Sequence, residues 1–264
     1  MQIPFTKAHG ARNDFLLTWA HEGPPPTAGV ARAICDRHTG IGADGWMLVS
    51  RGDAECDGAI RLFNSDGSEA EISGNGTRCA AAFLIHHGCA GDQVRIRTGA
   101  GIKHLRLLER EGLHFEFEMN MGNAEITAAH FSLPLSGGSR DVTLLWVGNP
   151  QCAMPVEDFD FDWRSMGAEI ERHPHFPHRT NVSFFRLVDE HTIDVRFYER
   201  GAGETESSGT GSTGAAAAAI ARGMVTSPVE VRTPAGPLHL RCADVIYLKG
   251  PADIIGAGTF FLAE

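Results

Sequence analysis

The stretch Ser73-Gly74-Asn75-Gly76-Thr77-Arg78-Cys79-Ala80-Ala81-Ala82 recurs 135 residues later as Ser208-Gly209-Thr210-Gly211-Ser212-Thr213-Gly214-Ala215-Ala216-Ala217. The likeness extends outward without a gap, since residues 60–84 align with residues 195–219. Its charged positions agree too, because Arg61 and Glu69 match Arg196 and Glu204. The sequence therefore predicts an internal duplication, in which each copy is a strand, an acidic loop, Ser-Gly-x-Gly and a helix of small residues.

The composition is that of an ordinary globular protein, with 42% hydrophobic and 21% charged residues among 264. That length holds one large domain or two of moderate size. The formal net charge of -10 argues against nucleic acid or an anionic membrane as a partner, because both require a basic face. An anionic substrate would need cationic side chains or backbone amides inside a pocket.

The six cysteines have neither CxxC spacing nor the Cys/His spacing of a zinc site, which predicts no metal site. Scattered cysteines are typical of reduced thiols in the cytosol. The first residues contain no apolar signal-peptide core, and no uninterrupted apolar stretch approaches roughly 18 residues. The sequence predicts a cytoplasmic protein that is neither exported nor membrane-spanning.

Short apolar runs bounded by turn residues predict strands over much of the chain. Thr27 is placed to cap a helix that runs to about His38, and further helices are predicted at 163–172 and 212–221. Residues 102–108 and 113–119 predict a hairpin. Other strands are predicted at 46–49, 60–63, 142–147, 182–187, 193–198, 229–232, 239–241, 245–248 and 259–262. The fold class is α+β with much antiparallel pairing.

A glycine-rich turn that opens a helix presents free backbone N–H groups and the positive end of the helix dipole, which bind a carboxylate or phosphate. Two such turns facing each other would hold one anion from both sides. Ser73 and Ser208 would then stand on its opposite faces. Inversion at a carbon next to a carboxylate requires two groups so placed, because one face gives up a proton and the other receives one.

Eight motifs in order cover nearly the whole chain: Lys7-Ala8-His9-Gly10-Ala11-Arg12-Asn13-Asp14-Phe15, Gly40-Ile41-Gly42-Ala43-Asp44-Gly45, Asn64-Ser65-Asp66-Gly67-Ser68-Glu69, Gly74-Asn75-Gly76-Thr77-Arg78-Cys79, Gly148-Asn149-Pro150, Arg179-Thr180-Asn181-Val182, Glu199-Arg200-Gly201-Ala202-Gly203-Glu204-Thr205 and Ser208-Gly209-Thr210-Gly211. Together they resemble the diaminopimelate epimerase family of the proline-racemase superfamily. The resemblance implies two pseudo-symmetric lobes, each a strand-rich barrel around a central helix, with the active site in the cleft. Residues 1–117 would form the N-terminal lobe, to which 252–264 return, and 118–251 the C-terminal lobe. It also implies a homodimer that needs no cofactor and no metal.

The resemblance further implies a set of residues that line the substrate: Asn13, Asn64, Asn149, Asn181, Glu199 and Arg200. The helix starts Gly74-Asn75 and Gly209-Thr210 would bind the reacting α-carboxylate. Arg200 suits a distal carboxylate, which its guanidinium can hold in bidentate fashion. The asparagines suit a distal ammonium and carboxylate together, and Glu199 is a candidate base.

The chain departs from the family at both catalytic positions, where Ser73 and Ser208 stand in place of two cysteines. A thiol has a pKa of roughly 8.5, whereas that of an alkyl hydroxyl lies nearer the value of water, roughly 15.7. Generating the alkoxide would therefore cost on the order of 8–10 kcal/mol more. Gln151 occupies the position of a family histidine that is thought to help deprotonate a thiol, and an amide cannot act as a base.

The sequence predicts an epimerase that interconverts LL- and meso-diaminopimelate, a precursor of lysine and of the cell wall, by two-base proton transfer. Three explanations of the serines stay open: an engineered Cys→Ser pair, an active natural variant, or a natural loss of activity that leaves an amino-acid-binding protein. A racemase of another amino acid is a further alternative. The segment 209–214 also matches GxGxxG, but about ten residues separate it from the preceding strand, unlike a dinucleotide fingerprint.

Overall fold

The computed structural model describes residues 1–243 and 245–262, and these contain four helices and 17 strands. The chain divides into two compact units. Unit 1 comprises Met1–Met119 and the segment from Gly250 onward, and unit 2 comprises Asn120–Lys249. Of the segment 252–264 that was predicted to return to the first lobe, residues 263 and 264 lie outside the described part. The helices are α1 (Ala28–Cys35), α2 (Gly74–His86), α3 (Trp163–Glu171) and α4 (Gly209–Ala221).

Unit 1 is built on a closed barrel. Its strands are β1 (Gln2–Gly10), β2 (Asn13–Trp19), β3 (Gly45–Arg51), β4 (Gly58–Asn64), β5 (Glu69–Ala70), β6 (Gln93–Thr98), β7 (Gly101–Glu111), β8 (His114–Gly122) and the C-terminal part of β17 (Ile246–Phe261). Pairing runs β1–β2–β3–β4–β6–β7–β8–β17 and returns from β17 to β1, which closes a ring of eight strands. The short β5 pairs with β4.

Unit 2 is a second run of paired strands. They are β9 (Glu125–Leu133), β10 (Arg140–Trp146), β11 (Pro150–Pro155), β12 (Asn181–Asp189), β13 (Thr192–Glu199), β14 (Gly203–Thr205), β15 (Val229–Thr233) and β16 (Gly236–Cys242). Pairing runs β9–β10–β11–β12–β13–β15–β16 and continues to the first residues of β17. The short β14 pairs with β13, as β5 does with β4.

Helices α2 and α4 are the central helices of the two units. Residues Gly74–Leu84 of α2 are buried, and the helix packs on β1, β2 and β6. Residues Gly209–Ala219 of α4 are buried likewise, and α4 packs on β9 to β13, β15 and β16. A helix covered on all sides has no polar face, and small side chains let strands approach it closely. The predicted strand-rich lobes around central helices are therefore confirmed.

The other two helices cover apolar clusters against the strands. In unit 1, Ile34 of α1 belongs to a cluster with Leu16 and Trp46, and all three are fully buried. In unit 2, Trp163 of α3 lies in the corresponding cluster with Phe184. Each cluster fixes the strands that lead to the loops of the candidate site.

The structure repeats within the aligned residues 60–84 and also beyond them. The hairpin pair Phe63–Glu69 has its counterpart, at the same offset of 135, in Tyr198–Glu204. The following turns match as well, since Thr98 Oγ1 donates to Gly101 O at 2.8 Å and Thr233 Oγ1 donates to Gly236 O at 2.7 Å. The backbone thus repeats beyond residues 60–84, and side chains agree there as well, since Arg97, Thr98 and Gly101 match Arg232, Thr233 and Gly236.

Element boundaries differ from the sequence prediction in β17, α1 and α4. The strands predicted at 245–248 and 259–262 are the two ends of one strand, β17, because β16, β8 and β1 supply partners across the intervening glycines and proline. Helix α1 ends at Cys35 rather than His38, because Asp36 Oδ1 accepts the backbone N–H of His38 and Thr39 and forms a turn. Helix α4 begins at Gly209, three residues before its predicted start.

We expect Gly211→Ala to destabilise unit 2 more than Gly76→Ala destabilises unit 1. A Cβ at Gly211 would lie 2.8 Å from the Phe197 ring and from Ser208 Oγ, whereas one at Gly76 would meet nothing nearer than 3.2 Å. Overpacking of this kind costs about 1–3 kcal/mol. Urea denaturation of the two variants tests the order, and an equal or larger loss for Gly76→Ala would contradict it.

Candidate active site

A strained turn places Asn13 at the start of β2. Ala11 and Arg12 connect β1 to β2 with φ of 49° and 61°, a left-handed conformation that non-glycine residues rarely adopt. Asn13 is 8% exposed, and its Nδ2 donates to Asp44 Oδ2 at 2.7 Å. Burial and the nearby Asp14 raise the pKa of Asp44 above its ordinary value. The turn and the carboxylate together fix the Asn13 amide.

The start of α2 holds the first proton-transfer candidate. Ser73 is the N-cap, and its Oγ accepts the N–H of Gly76 at 3.1 Å. Asn75, in the first turn, is fully buried and donates from Nδ2 to Asn13 Oδ1 at 3.3 Å. The structure thus brings Asn13 and Asn75 together beside the Ser73 cap.

Arg78 supports this turn and was not predicted as a site residue. It is fully buried, and its Nη2 donates to Asn75 Oδ1 at 2.6 Å while its Nε donates to Pro251 O at 3.1 Å. Burial lowers the pKa of the Arg78 guanidinium to about 10, so it stays protonated at neutral pH. Within the described residues it forms no ion pair with a carboxylate. The cation therefore adds positive potential at the start of α2, where an anion would bind. In the sequence, Arg78 can be recognised as a single charged residue among the small residues of a buried helix.

The start of α4 holds the second candidate. Ser208 is 3% exposed; its Oγ accepts the N–H of Gly211 at 3.0 Å and donates to Glu199 Oε1 at 2.6 Å. Thr205 Oγ1 donates to the other carboxylate oxygen, Glu199 Oε2, at 2.8 Å. A short hydrogen bond from a hydroxyl to a carboxylate is the arrangement of a nucleophile or base pair. Thr205, which orients the carboxylate, was not predicted.

A buried amide pair lies beside the same helix. Gln151 Nε2 donates to Asn149 Oδ1 at 2.7 Å, and Asn149 Nδ2 lies 3.5 Å from Thr210 Oγ1. Gln151 is 2% exposed, and its Oε1 has no hydrogen-bond partner among the described residues; the same holds for Ser212 Oγ. Buried acceptors without partners are costly unless a ligand or water satisfies them.

The Asn181 side chain fixes the backbone at Arg200 by hydrogen bonds. Its Oδ1 accepts the N–H of Arg200 at 3.0 Å, and its Nδ2 donates to Pro150 O at 3.1 Å. The Arg200 guanidinium donates to His178 O at 3.3 Å. Both ends of the Asn181 amide are therefore engaged in positioning. Asn64, at the end of β4, donates from Nδ2 to Ser68 Oγ at 3.0 Å.

Two other kinds of site have little support in the described residues. The glycines of the segment 209–214 lie inside α4 rather than in a turn after a strand, and a Cβ at Gly214 would meet the Gln151 side chain at 3.3 Å. That geometry leaves no phosphate loop for a dinucleotide. Within residues 1–243 and 245–262, no three His, Cys, Asp or Glu side chains cluster in a way that could hold a metal ion. None of the helices described there is long and apolar enough to cross a membrane.

The fold is shared with known epimerases and isomerases. A hydroxyproline epimerase from Agrobacterium vitis, solved with bound trans-4-hydroxy-L-proline, superposes with a TM-score of 0.77 at 15% identity, over 98% of this chain and 92% of that one. A methylitaconate-delta-isomerase superposes with a TM-score of 0.69 at 13% identity, over 98% and 95% of the two chains. At these identities the likeness defines the class of fold alone.

The sequence comparison defines the family. A sequence model described as diaminopimelate epimerase matches residues 5–127 and 143–255. The diaminopimelate epimerase of Pelotomaculum thermopropionicum is 36% identical, over 97% of this chain and 98% of its own. That of Burkholderia pseudomallei (strain 668) is 38% identical, over 98% and 96%. The chain belongs to the diaminopimelate epimerase family, and it is an isomerase.

The buried cysteines of this chain are poorly suited to act as thiolates. All six are free, and four are buried. Burial raises the pKa of the Cys35, Cys79 and Cys152 thiols to about 12 in each case. A thiol with that pKa is about one part in 10⁴ thiolate at pH 8.

We expect Cys35, Cys79 and Cys152 to resist iodoacetamide at pH 8 in the native protein, because the thiolate is the reactive form. Cys89, which is partly exposed, serves as the internal reference. Peptide mass spectrometry after timed labelling gives the rates, and all six thiols should label once the protein is denatured. Labelling of Cys79 or Cys152 as fast as Cys89 would show that the described burial is wrong.

Proposed function

We propose that this protein interconverts LL- and meso-diaminopimelate by removing the proton at one α-carbon and returning it on the opposite face. The observation that carries the proposal is the pair of matched helix starts, each capped by a serine at an acid/base position of the family. Membership of the family, at 36% identity over nearly the full chain, supports the choice of substrate. Ser73 and Ser208 are the proposed proton-transfer residues.

The reacting end of the substrate is an amino acid whose α-carboxylate we assign to the helix starts Gly74-Asn75 and Gly209-Thr210. The first N–H groups of a helix have no partner within the helix, and the dipole favours an anion there. The carbanion formed on loss of the α-proton is delocalised into that carboxylate, so the same N–H groups stabilise its additional charge. This chain's own residues thus supply the electrostatic part of catalysis.

The distal amino-acid group is assigned to Arg200 and the asparagines. Arg200 would bind the distal carboxylate with its guanidinium, whose backbone Asn181 holds in place. Asn13, Asn64 and Asn149 carry both donors and acceptors, as a zwitterionic group requires. A substrate with one amino-acid group alone would not engage Arg200 and these amides, which favours diaminopimelate over a simple amino acid.

Each serine acts from the cap position of its helix. Ser208 Oγ takes the α-proton while its own proton passes to Glu199 Oε1, 2.6 Å away. The Gly211 N–H at 3.0 Å, together with the helix dipole, stabilises negative charge that develops on Ser208 Oγ. Ser73 Oγ has the corresponding amide donor in Gly76 N at 3.1 Å. Partial charge stabilisation of this kind offsets part of the difference in pKa between a hydroxyl and a thiol.

The cellular setting is proposed from the same evidence. Six free thiols are consistent with a reducing cytoplasm. A homodimer is proposed from membership of the family alone. Gel filtration with light scattering would test the dimer directly.

We expect the protein to bind both isomers and convert them slowly, and Ser73→Cys/Ser208→Cys to convert them at least about a hundredfold faster, because a thiolate forms far more readily than an alkoxide. Calorimetry measures binding, and chiral chromatography measures conversion of each isomer. Ser136→Cys, which adds an exposed thiol elsewhere in unit 2, should not change the rate.

The proposal would be contradicted if neither isomer bound to the native chain or to the double cysteine variant. Binding without conversion in the native chain, with conversion in the double variant, would identify a binding protein that retains an epimerase pocket. Preferential binding of another amino acid would redirect the substrate assignment.

A further inference from the structure

The two proposed proton-transfer residues differ in the groups that support them. Ser208 donates to Glu199 Oε1 at 2.6 Å, and Thr205 holds the other oxygen of that carboxylate at 2.8 Å. A carboxylate oriented at both oxygens can accept the serine proton at the moment the serine accepts another. The unit 2 position therefore contains a complete base.

The unit 1 position has no such partner in the part of the chain that the structure describes. Among residues 1–243 and 245–262, the Ser73 hydroxyl is hydrogen-bonded to Gly76 N alone, at 3.1 Å. The residue that matches Glu199 in the duplication is Asn64, since β4 and β13 pair with β5 and β14 in the same relative register. Asn64 donates from its amide to Ser68 Oγ at 3.0 Å and cannot take up a proton at neutral pH.

We infer that the two half-reactions are unequal, so that this protein exchanges the α-proton of one isomer with solvent much faster than it converts that isomer. The inference rests on the proposed function and concerns the same site. One isomer presents its α-proton to Ser208 and the other presents it to Ser73. The first is deprotonated readily, whereas deprotonation of the second must form an alkoxide without a base to share its proton.

The fast step balances within the unit 2 group. The Cα–H bond breaks and its electron pair stays on the substrate, delocalised into the α-carboxylate. An O–H bond forms on Ser208 Oγ as the former Ser208 proton moves to Glu199 Oε1. In D₂O the abstracted proton is replaced by a deuteron from solvent. Reversal of the step then returns a deuteron to the same face of the α-carbon, and the configuration is retained. Conversion instead requires the carbanion to take a proton from Ser73 Oγ. That step leaves an alkoxide on Ser73, so conversion is slower than exchange.

The experiment follows deuterium incorporation and configuration together. LL- and meso-diaminopimelate are incubated separately with the full-length protein in D₂O; NMR measures α-proton loss and chiral chromatography measures conversion. We expect one isomer to exchange at least about tenfold faster than it converts, since a positioned general base contributes roughly 10²–10⁴-fold. The other isomer should exchange no faster than it converts.

Two variants assign the asymmetry to the residues named. Glu199→Gln should lower the exchange of the fast isomer until exchange and conversion proceed at similar rates. Ser73→Cys should raise conversion of both isomers and bring the exchange-to-conversion ratio of the fast isomer toward one. Ser136→Cys, which adds an exposed thiol outside the proposed site, is the control and should change neither the exchange nor the conversion of either isomer.

Each outcome decides the inference. Similar exchange-to-conversion ratios for the two isomers would overturn it, as would persistence of the unequal ratios in Glu199→Gln. Binding of both isomers with no exchange of either would overturn it while leaving the substrate assignment standing. Failure of both isomers to bind would overturn the proposed function and the inference with it.

Discussion

The first turn of a helix carries N–H groups that need acceptors, and in this protein the first turns of α2 and α4 are buried among strands, away from bulk water. Serine caps satisfy one N–H each, at 3.1 and 3.0 Å. Small side chains along both helices let the strands close around them. The remaining N–H groups suit an anionic ligand, so the requirement that stabilises the fold also defines where a carboxylate would bind.

The duplication preserves the backbone of each half while the supporting side chains diverge. Arg61 binds Glu69 with two hydrogen bonds of 2.9 Å, whereas the matching Glu204 is bound by Arg164 of α3 instead. Arg78 has Thr213 as its counterpart, so a buried cation supports the start of α2, whereas a neutral side chain stands at the matching position of α4. Two helix starts of equal geometry thus carry different electrostatics.

The sequence was sufficient for features with strong local or repeated signals, such as the central helices, the cap at Thr27 and the hairpin of β7 and β8. Features set by tertiary partners were beyond it. The glycines and proline of β17 indicate a break between two strands in the sequence. In the structure, pairing with β1, β8 and β16 keeps the segment a single strand. The left-handed turn at Ala11 and Arg12 has no glycine to mark it. The roles of Arg78 and Thr205 depend on distances that spacing does not give, whereas the roles of the other site residues remain predictions from the family.

The closure of the unit 1 barrel by β17 has a consequence for how the chain is made. Gln2 pairs with Phe261, so the barrel that contains the first strand cannot close until the ribosome has passed the whole of unit 2. Unit 2 is continuous in sequence and can fold as soon as its own strands emerge. During synthesis, the sheet of β1 to β8 therefore has an unpaired edge until β17 is made. A nascent chain with such an edge is prone to mispairing and is a typical substrate of chaperones.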